Sequence, residues 1–301
     1  MNNNKIWAGI IVYYPDENKL INLLRLLKNQ VDKVLIYNNG GLMTHRILRS
    51  SEICEYSIIG TGENLGIGVA VNAICMIAES NKISNVITFD QDSAPPSDMV
   101  ERLYHFSKRL LALNIKLAAV GPFFVDKRNG ETLFPIFQYG NWWIKKVYPV
   151  IGCNEAINTN LLITSGMLLN IKAWRQTHGF REDFFIDHVD TEWCIRAACH
   201  GFVLYTCPAI IMEHELSDGP PKRIFGRLSL KYSPIRRYYA FRNTVALIKE
   251  NKLRRGLKNY LILTLAYRLL LNLVIDQNKL KSLHFMLTGI CHGLIGKMGK
   301  K

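Results

Sequence analysis

Short apolar runs alternate with amphipathic stretches over the first 120 residues of the chain. Four of these runs are rich in β-branched and aromatic side chains, a composition that predicts buried strands. They are residues 6–14, 33–37, 56–59 and 86–89. Between them, apolar residues recur with the three- and four-residue spacing of a helix, as they do from Leu20 to Leu27. This alternation predicts an α/β fold with a Rossmann-like, doubly wound and mostly parallel central sheet.

The pattern changes after residue 120, where shorter apolar runs predict a small mixed sheet. The candidate strands of this sheet are residues 123–125, 132–138 and 161–164. Further along, helical spacing dominates the chain. From these changes we predict an α/β domain at residues 1–218 and a helical region at residues 219–301.

The charge of the chain is concentrated in the predicted helical region. The 301 residues carry a net charge of +14. From Lys222 to Lys301 there are 18 Lys and Arg but only two acids, Glu250 and Asp276, so the rest of the chain is close to neutral. Such a basic region predicts an anionic partner, either a membrane surface or nucleic acid.

The cysteines and the first apolar run bear on the compartment. Seven cysteines are spread along the chain without any Cys-x-x-Cys pair. This favours neither a disulfide framework nor a zinc cluster, and a reducing cytosol fits best. The run at residues 6–14 is short and lacks a cleavage site, so we interpret it as a first strand and not as a signal peptide.

One apolar stretch in the basic region, residues 260–275, resembles a membrane span at first sight. Its 16 residues fall short of the roughly 20 that a spanning helix needs, and they include Arg268 and Asn272. We therefore predict a helix that lies in the plane of the membrane interface, although a helix packed on the catalytic core is an open alternative. The basic residues expected to meet the headgroups are Lys252, Arg254, Arg255 and Lys258.

Two carboxylates stand where the strand at residues 86–89 ends. Asp90 and Asp92 follow this strand, and the next residues include two prolines that prevent it from continuing. The carboxyl ends of central strands bind ligands in α/β sheets, and two like charges so close together need a compensating cation. Oxygen ligands suit Mg²⁺ or Mn²⁺, and such a cation can neutralise a diphosphate. A polar turn in which Asp92 caps local backbone is the alternative.

Three further stretches have both a functional and a purely structural interpretation. Residues 60–68 are rich in glycine and precede a helix, so their amides could face phosphate, but a tight loop explains the glycines equally well. Asp190 stands at a predicted helix start, where N-capping competes with a chemical role. His214 follows an apolar run and is either a satisfied histidine or a metal ligand.

Five short motifs occur in one order along the chain. They are Tyr13-Tyr14-Pro15, Asn38-Asn39-Gly40, the stretch from Asn64 to Asn72, Asp90-Gln91-Asp92-Ser93 and the stretch from Asp190 to Arg196. Together with residues 232–243, they resemble the inverting glycosyltransferase family 2 enzymes of the GT-A fold. The resemblance covers essentially the whole chain. It points in particular to bacterial rhamnosyltransferases that build O-antigen and related polysaccharides.

The resemblance implies a role for each matching residue. Asp90 and Asp92 match the aspartates that hold Mg²⁺ or Mn²⁺ on the nucleotide diphosphate, and His214 matches a further metal ligand found in some relatives. Asp190 matches the catalytic base. The nucleotide-binding residues implied by the resemblance are Tyr13, Asn38, Asn64, Gly66 and Asp90.

Two positions depart from the family pattern. Asn38 stands where the family commonly has an aspartate that contacts the base, and Val189 stands where an acidic residue usually precedes the catalytic base. The residues expected on the acceptor side are Ser165, Gly166, Glu192 and Trp193. The arginines expected to meet a phosphate group or the membrane are Arg223, Arg227, Arg236 and Arg237.

The resemblance implies an inverting, metal-dependent enzyme that moves rhamnose from dTDP-L-rhamnose to a hydroxyl group of a saccharide linked to polyprenyl diphosphate. Such an enzyme would act peripherally at the cytoplasmic side of the inner membrane. Galactofuranose and N-acetylhexosamines are alternative sugars. Nucleotidyl transfer would need a basic loop after the first strand, where this chain has Tyr13-Tyr14-Pro15-Asp16. A nucleic-acid-binding protein would leave Asp90, Asp92 and Asp190 unexplained.

Overall fold

The first part of the chain folds as the apolar pattern predicts. The computed structural model describes residues 5–41, 55–126, 128, 132–150, 152–153, 155–214, 222–224, 227–229, 232–250, 253–276 and 278–301. The four predicted strands are β1 (Ile6–Val12), β2 (Lys33–Asn38), β3 (Tyr56–Ile59) and β4 (Asn85–Asp90). The helices that accompany them are α1 (Glu17–Leu27), α2 (Ile67–Ser80) and α3 (Met99–Ala112). The side chain of Asp16 caps α1 by accepting hydrogen bonds from the backbone of Asn18 and Lys19.

The second part departs from the prediction in three places. Residues 123–125 belong to a long strand of the large sheet, and residues 132–138 divide into two short strands. Residues 161–164 are irregular, although Leu162 is buried. A short apolar run indicates burial and does not by itself distinguish a strand from a buried loop. The strands here are β5 (Leu117–Asp126), β6 (Thr132–Leu133), β7 (Ile136–Tyr139), β8 (Ile144–Val147), β9 (Ile157–Thr159), β10 (Met167–Asn170), β11 (Val203–Glu213), β12 (Lys222–Ile224) and β13 (Arg227–Ser229). The helices are α4 (Ile171–Gln176), α5 (Val189–Cys199), α6 (Pro234–Lys249), α7 (Arg255–Ile275) and α8 (Lys279–Ile295).

One large sheet organises the fold, with strands in the order β3-β2-β1-β4-β10-β5-β11-β9. Its β1–β4 part and the β5–β11 pair are parallel, whereas β10 runs antiparallel between β4 and β5. The small second sheet is the antiparallel hairpin of β7 and β8. The predicted mostly parallel α/β sheet is therefore confirmed, with the carboxyl ends of β1, β2 and β4 at one edge.

Two hydrophobic cores cover the two faces of this sheet. Helices α1 and α3 pack on one face, and α2, α4 and α5 pack on the other. The C-terminal helices join the second core through Leu247, Leu253, Leu257 and Leu261. Each buried leucine contributes roughly 1.5–3 kcal/mol, so one side of α7 is firmly attached to the core.

The position of α7 bears on the predicted membrane helix. None of the helices in the described part of the chain combines the length and the apolar character needed to cross a membrane. One side of α7 packs on the core, as the alternative to a membrane helix required, and the other side is exposed to solvent. Lys252 and the predicted boundary at residue 218 lie outside the described residues, so the two-region division stays a prediction.

Candidate active site

The carboxyl ends of β4 and β11 bring Asp90 and His214 together. Asp90 is the last residue of β4, and His214 directly follows β11. An isolated antiparallel bridge between Ala94 and Glu213 holds the turn after β4 against the end of β11. His214 Nε2 consequently lies 3.6 Å from Asp90 Oδ2. The sheet edge indicated by the sequence is therefore the edge where these two side chains meet.

The surroundings of this pair suit a cation. His214 is buried, and its Nδ1 has no hydrogen-bond partner among the described residues. Burial raises the pKa of Asp90, a rise that His214 and Arg236 oppose and that Asp92 increases. Carboxylate oxygen and imidazole nitrogen are donor types that Mn²⁺ accepts, so the pair fits the predicted metal.

The protein side chains alone do not complete a metal centre. Within the described ranges, no group of three or more His, Cys, Asp or Glu side chains is close enough to hold an ion. Asp92 lies in the turn directly after Asp90. Further ligands would therefore have to come from a bound diphosphate or from water, as is common for Mg²⁺ at phosphate sites.

Ser165 and Gly166 lie behind the turn that carries Asp92. Ser165 Oγ is 2.7 Å from Ser93 Oγ in a buried hydrogen bond. Gly166 N donates to Thr88 O at 2.6 Å. Both residues support the turn from the core side, and Ser165 is buried. They lie beneath the candidate metal site and not on an open acceptor surface.

The loop after β1 is tied to the loop after β4. Tyr13 N donates to Gln91 Oε1 at 2.7 Å, and Gln91 Nε2 donates to Tyr13 O at 3.1 Å. Tyr13 is half exposed at this edge. Asn38 lies at the end of β2, but its side chain is engaged in its own turn with the backbone of Gly40 and Gly41. The sequence prediction gave Gln91 no role. Its position between Asp90 and Asp92 was the only feature of the sequence that could have indicated one.

The glycine-rich loop before α2 packs directly on a loop that precedes α5. Asn64 Oδ1 accepts a hydrogen bond from Gly66 N at 3.1 Å, which shapes the loop. Gly66 has φ +93°, and a Cβ added there would lie 2.6 Å from Phe185 O. Ile67 N also donates to Phe185 O at 2.8 Å. Only glycine permits this approach, so the predicted nucleotide loop is joined to residues 181–188.

Asp190 lies in the first turn of α5. Burial raises the pKa of Asp190 to about 6, and the charges of Asp187 and Asp90 add to the rise. Thr191 opposes it, because its backbone N–H donates to Asp190 Oδ1 at 2.7 Å. The N-cap of α5 is His188, so Asp190 does not occupy the capping position that the alternative required. A carboxyl group with this pKa can exchange a proton near neutral pH.

The segment before Asp190 has a strained backbone. Phe185, Asp187 and His188 have φ values of +65°, +61° and +62°, which non-glycine residues rarely adopt. Each such residue costs on the order of 1–3 kcal/mol, so the surrounding structure must hold it in place. We term residues 183–190, with this strained backbone, the base loop. Strain of this kind concentrates at functional sites.

Helix α6 supplies the groups that hold the base loop. Asn243 Nδ2 donates to the carbonyl oxygens of Phe184, Ile186 and Asp187 at 2.9, 2.8 and 2.7 Å. Arg242 also donates to Phe184 O, at 2.8 Å. Asn243 and Arg242 are fully buried. The signal for them in the sequence was the polar run in the middle of a helix, which the resemblance noted but to which it gave no role.

Glu192 and Trp193 face the protein and not a ligand. Glu192 is buried and pairs with Arg196, whose Nη2 lies 2.7 Å from Glu192 Oε2. Trp193 is fully buried, stacks on Phe180 and donates from Nε1 to Thr177 Oγ1 at 2.9 Å. In this geometry both side chains stabilise α5, which carries Asp190.

The two described arginines of the predicted phosphate group are engaged by carboxylates. Arg236 Nε lies 3.3 Å from Asp187 Oδ1, which joins it to the base loop. Arg237 is buried, with Nη2 at 2.5 Å from Asp276 Oδ1. Arg237 therefore does not belong to an exposed basic surface. The side chains of Arg223 and Arg227 lie outside the described residues.

A cavity of about 550 Å³ opens between α7, the β7–β8 hairpin and the end of β5. It reaches the candidate site at two points. Phe124 in its wall packs on His214, with ring centroids 5.8 Å apart. Burial lowers the pKa of His188 to about 3, and Arg268 in the wall contributes to this lowering through its charge. The lining residues from α7 are Tyr260, Leu263, Thr264, Tyr267, Arg268, Leu271 and Asn272.

The fold is similar to that of two solved glycosyltransferase structures. The crystal structure of GalNAc-T7 with UDP, GalNAc and Mn²⁺ matches with a TM-score of 0.56 at 11% identity, covering 81% of this chain and 48% of that protein. The structure of S. aureus TarS 1-349 with UDP-GlcNAc matches with a TM-score of 0.56 at 12% identity, covering 96% of this chain and 81% of that one. At these identities the likeness concerns the fold alone, and it confirms the predicted GT-A architecture.

A curated relative narrows the comparison. The dTDP-rhamnosyl transferase RfbF of Shigella flexneri is 29% identical over 249 residues, which cover 83% of this chain and 81% of the relative. No family model matches the chain. The resemblance to GT-A glycosyltransferases, and to bacterial rhamnosyltransferases among them, is confirmed together with the prediction of an enzyme of this class.

Proposed function

We propose that the protein is an inverting glycosyltransferase that moves rhamnose from dTDP-L-rhamnose to a hydroxyl group of a saccharide. The observation that carries this proposal is the Asp90–His214 pair at the ends of β4 and β11, with Asp190 close enough for the charge of Asp90 to help raise its pKa to about 6. A carboxylate with this pKa is ionised at neutral pH and still basic enough to accept a proton in the transition state. A single sugar displacement needs a base for the acceptor hydroxyl group and a cation for the leaving diphosphate, and Asp190 and the Asp90–His214 pair can supply them.

The reaction follows from these positions. When bound, Mg²⁺ or Mn²⁺ held by Asp90, Asp92 and His214 would neutralise the diphosphate of the donor. Asp190 takes the proton of the acceptor hydroxyl group while the oxygen of that hydroxyl group bonds to C1 of the sugar. The bond from C1 to the diphosphate breaks, and its electron pair leaves with the nucleotide. Because attack comes from the opposite face, one displacement inverts the anomeric carbon.

The local bonds of Asp190 indicate which oxygen acts. Both hydrogen bonds from Thr191, from its backbone N–H and from its hydroxyl group, go to Oδ1. These bonds fix the orientation of the carboxylate and lower the basicity of Oδ1. We therefore assign the proton of the acceptor to Oδ2. The donor assignment is supported by RfbF, which is named as a dTDP-rhamnosyl transferase.

The lining of the cavity beside α7 supports the proposal of a large, lipid-linked acceptor. Its wall combines aromatic rings with Lys146, Arg237 and Arg268, and no Asp or Glu of the described residues lines it. Aromatic walls suit sugar rings and apolar chains, and cations suit a phosphate group. A saccharide linked to polyprenyl diphosphate has all these parts. The basic C-terminal region supports a peripheral position at the cytoplasmic side of the inner membrane.

Thermal unfolding with a panel of ligands tests this function. The panel contains dTDP, UDP, GDP, dTDP-rhamnose and the UDP derivatives of galactofuranose and N-acetylglucosamine, each with and without Mn²⁺. A ligand at 100 times its Kd stabilises the native state by about 2.7 kcal/mol. We expect the largest rise in Tm with dTDP-rhamnose and Mn²⁺, and formation of an inverted glycoside with a lipid-linked acceptor.

A pair of variants separates the metal site from general effects. Asp90→Asn removes a candidate ligand and should abolish the part of the Tm shift that depends on Mn²⁺. Asp98→Asn removes a carboxylate from an exposed pair with Arg102 and should leave that shift unchanged. Equal shifts in both variants, or no selective shift with any nucleotide-sugar, would contradict the proposal.

A further inference from the structure

Two tryptophans are exposed side by side at the turn between β7 and β8. Trp142 is 60% exposed and Trp143 is 74% exposed. The other three tryptophans of the chain, at positions 7, 174 and 193, are buried. An exposed indole leaves a large apolar area in water, and two adjacent ones at a hairpin tip call for a partner that covers them.

The first turn of α7 packs directly onto this hairpin turn. Gly256 N donates to Asn141 O at 2.8 Å. A Cβ added at Gly256 would lie 2.8 Å from Trp143 N, so glycine is required for the close approach. The guanidinium group of Arg255 lies 5.5 Å from the centre of the Trp142 ring. The hairpin turn and the start of α7 therefore form one continuous surface.

Helix α7 has two faces of opposite character. The residues that line the cavity, at spacings of three and four from Tyr260 to Asn272, combine polar and aromatic side chains with Leu263 and Leu271. Its exposed face begins with cations and continues with apolar side chains. The residues of this exposed face are Arg255, Lys258, Ile262, Ala266 and Leu270. Leu257, Leu261 and Leu271 are buried on its inner side, so α7 carries apolar residues inside and outside, whereas a helix on an ordinary protein surface has a polar outer face.

The charge of these two segments is uniformly positive. Residues 136–150 and 253–275 contain no Asp or Glu. Their cations are Lys145, Lys146, Arg254, Arg255, Lys258 and Arg268. Lipid headgroups offer phosphates at every point of a flat surface, and tryptophan is favoured where headgroups meet acyl chains. Exposed indoles, leucines and cations without acids fit this environment.

We infer that Trp142, Trp143 and the exposed face of α7, together termed the tryptophan surface, dock the protein on a bilayer that contains anionic lipid. The inference deepens the membrane association of the proposed function and rests on it for the choice of a lipid partner. Docking in this orientation places the cavity on the far side of α7, about one helix diameter (roughly 10 Å) from the bilayer surface. The saccharide of a lipid-linked acceptor would have to extend only this distance from the membrane to enter the cavity.

Vesicle binding tests the tryptophan surface without any sugar transfer. The full chain is floated with vesicles of phosphatidylcholine alone or with one third phosphatidylglycerol. We expect binding to the anionic vesicles that weakens as salt rises. Because each basic residue near the surface adds about 1 kcal/mol, Arg255→Gln with Lys258→Gln should weaken binding roughly 30-fold. The matched control, Lys82→Gln with Lys172→Gln, removes two exposed cations elsewhere and should bind within twofold of the parent.

The tryptophans are tested by substitution and by their own fluorescence. Trp142→Ala with Trp143→Ala should abolish detectable flotation, whereas Leu113→Ala, at another exposed apolar residue, should not change it. Since the other tryptophans are buried, a blue shift and quenching by brominated lipids report on Trp142 and Trp143. Parental flotation of the double tryptophan variant would overturn the inference.

Two other outcomes are informative. If the parent ignores all vesicles but sediments as a dimer that Trp142→Ala with Trp143→Ala dissociates, the surface binds a second copy and the lipid inference is wrong. Nucleotide-sugar binding is measured separately by thermal unfolding. A protein that binds dTDP-rhamnose but no vesicle would retain the proposed transfer reaction and refute only the tryptophan surface. The converse result would support the surface and refute the donor.

Discussion

Two regions follow opposite rules of burial. One is the edge of the sheet where β1, β2 and β4 end, here termed the donor edge, and the other is the set of C-terminal helices α6 to α8. At the ends of β1, β2 and β4, apolar residues lie inside and the candidate polar residues stand in turns. In α6 the polar residues Arg242, Asn243 and Thr244 are buried, while in α7 the apolar residues Ile262 and Leu270 are exposed. The polar groups of α6 therefore bind the protein itself, whereas those of the donor edge are the groups to which the proposed function assigns a ligand.

This difference has an energetic basis. Burying an amide or a guanidinium group without partners costs several kcal/mol, so such groups are kept where their hydrogen bonds are made. Asn243 directs its Nδ2 to three carbonyl oxygens of the base loop, and His188 Nε2 lies 3.0 Å from Thr244 Oγ1. In the proposed function the C-terminal helices therefore act on the position of Asp190, while the ends of β1, β2 and β4 bind the donor. Variants in the two regions should differ accordingly.

The largest effect is expected for the base itself. Asp190→Asn removes the proton acceptor and should lower kcat by roughly 10²–10⁴ with little change in nucleotide affinity. In the parent, kcat/KM should fall about tenfold per unit as pH drops below the pKa of Asp190, about 6. Steady-state kinetics between pH 5 and pH 8 measure both effects. Retention of parental kcat by a folded Asp190→Asn protein would exclude Asp190 as the base.

Asp190→Asn should also increase the free energy of unfolding. A gain in stability together with a loss of activity would show that the variant is folded and that the carboxylate of Asp190 destabilises the parent. The folded pKa of Asp190, about 6, lies above the usual value for aspartate, so its contribution to stability is present at low pH and lost as pH rises through about 4 to 6. At pH 7 Asp190→Asn should gain about 1–3 kcal/mol in the free energy of unfolding. This gain should shrink as pH falls towards 4. Urea unfolding at several pH values measures it.

The next largest effect is expected for Asn243. Asn243→Asp keeps the shape of the side chain but replaces the Nδ2 donor with an acceptor that faces carbonyl oxygens. Release of the base loop should lower kcat about tenfold to 100-fold, shift the acid limb of the pH profile and leave nucleotide affinity within a few-fold. We also expect a loss of about 2–5 kcal/mol in stability. Kinetics and urea unfolding provide the measurements.

A core variant controls for stability alone. Leu103→Ala lies in the core on the other face of the sheet and should cost about 2–5 kcal/mol. Its pH profile should match that of the parent at temperatures where it is folded. If Asn243→Asp loses no more kcat than Leu103→Ala and keeps the parental pH profile, α6 stabilises the fold without positioning the base.

The two regions also differ in how far the sequence predicted them. Strand ends, turns and the aspartates after β4 follow from local patterns, because a central strand must end and its carboxyl end faces the ligand side. The roles of Arg242 and Asn243 depend on contacts with residues more than 50 positions earlier in the chain, which no local pattern contains. The same applies to Trp193, which was expected on the acceptor side and is buried in the core. The spacing of apolar residues predicted the helix that contains Trp193, but only the packing of the folded chain shows which of its faces is buried.

The smallest effect is expected where the two loops of the site touch. Gly66→Ala forces a side chain onto a residue with φ +93° and places its Cβ 2.6 Å from Phe185 O. Gly152→Ala is the matched control, since Gly152 has φ +82° but nothing within 4 Å of an added Cβ. Backbone strain alone costs on the order of 1–3 kcal/mol, and both variants should show it.

The difference between these two variants isolates the contact between the nucleotide loop and the base loop. Gly66→Ala should be less stable than Gly152→Ala by about 1–3 kcal/mol, because Phe185 belongs to a segment that Asn243 holds in place and cannot yield freely. Its KM for the nucleotide-sugar should rise a few-fold while kcat falls by less than tenfold. Equal stability and equal kinetics in the two variants would mean that the loops move independently. The donor edge and the C-terminal helices would then not be mechanically joined through Gly66.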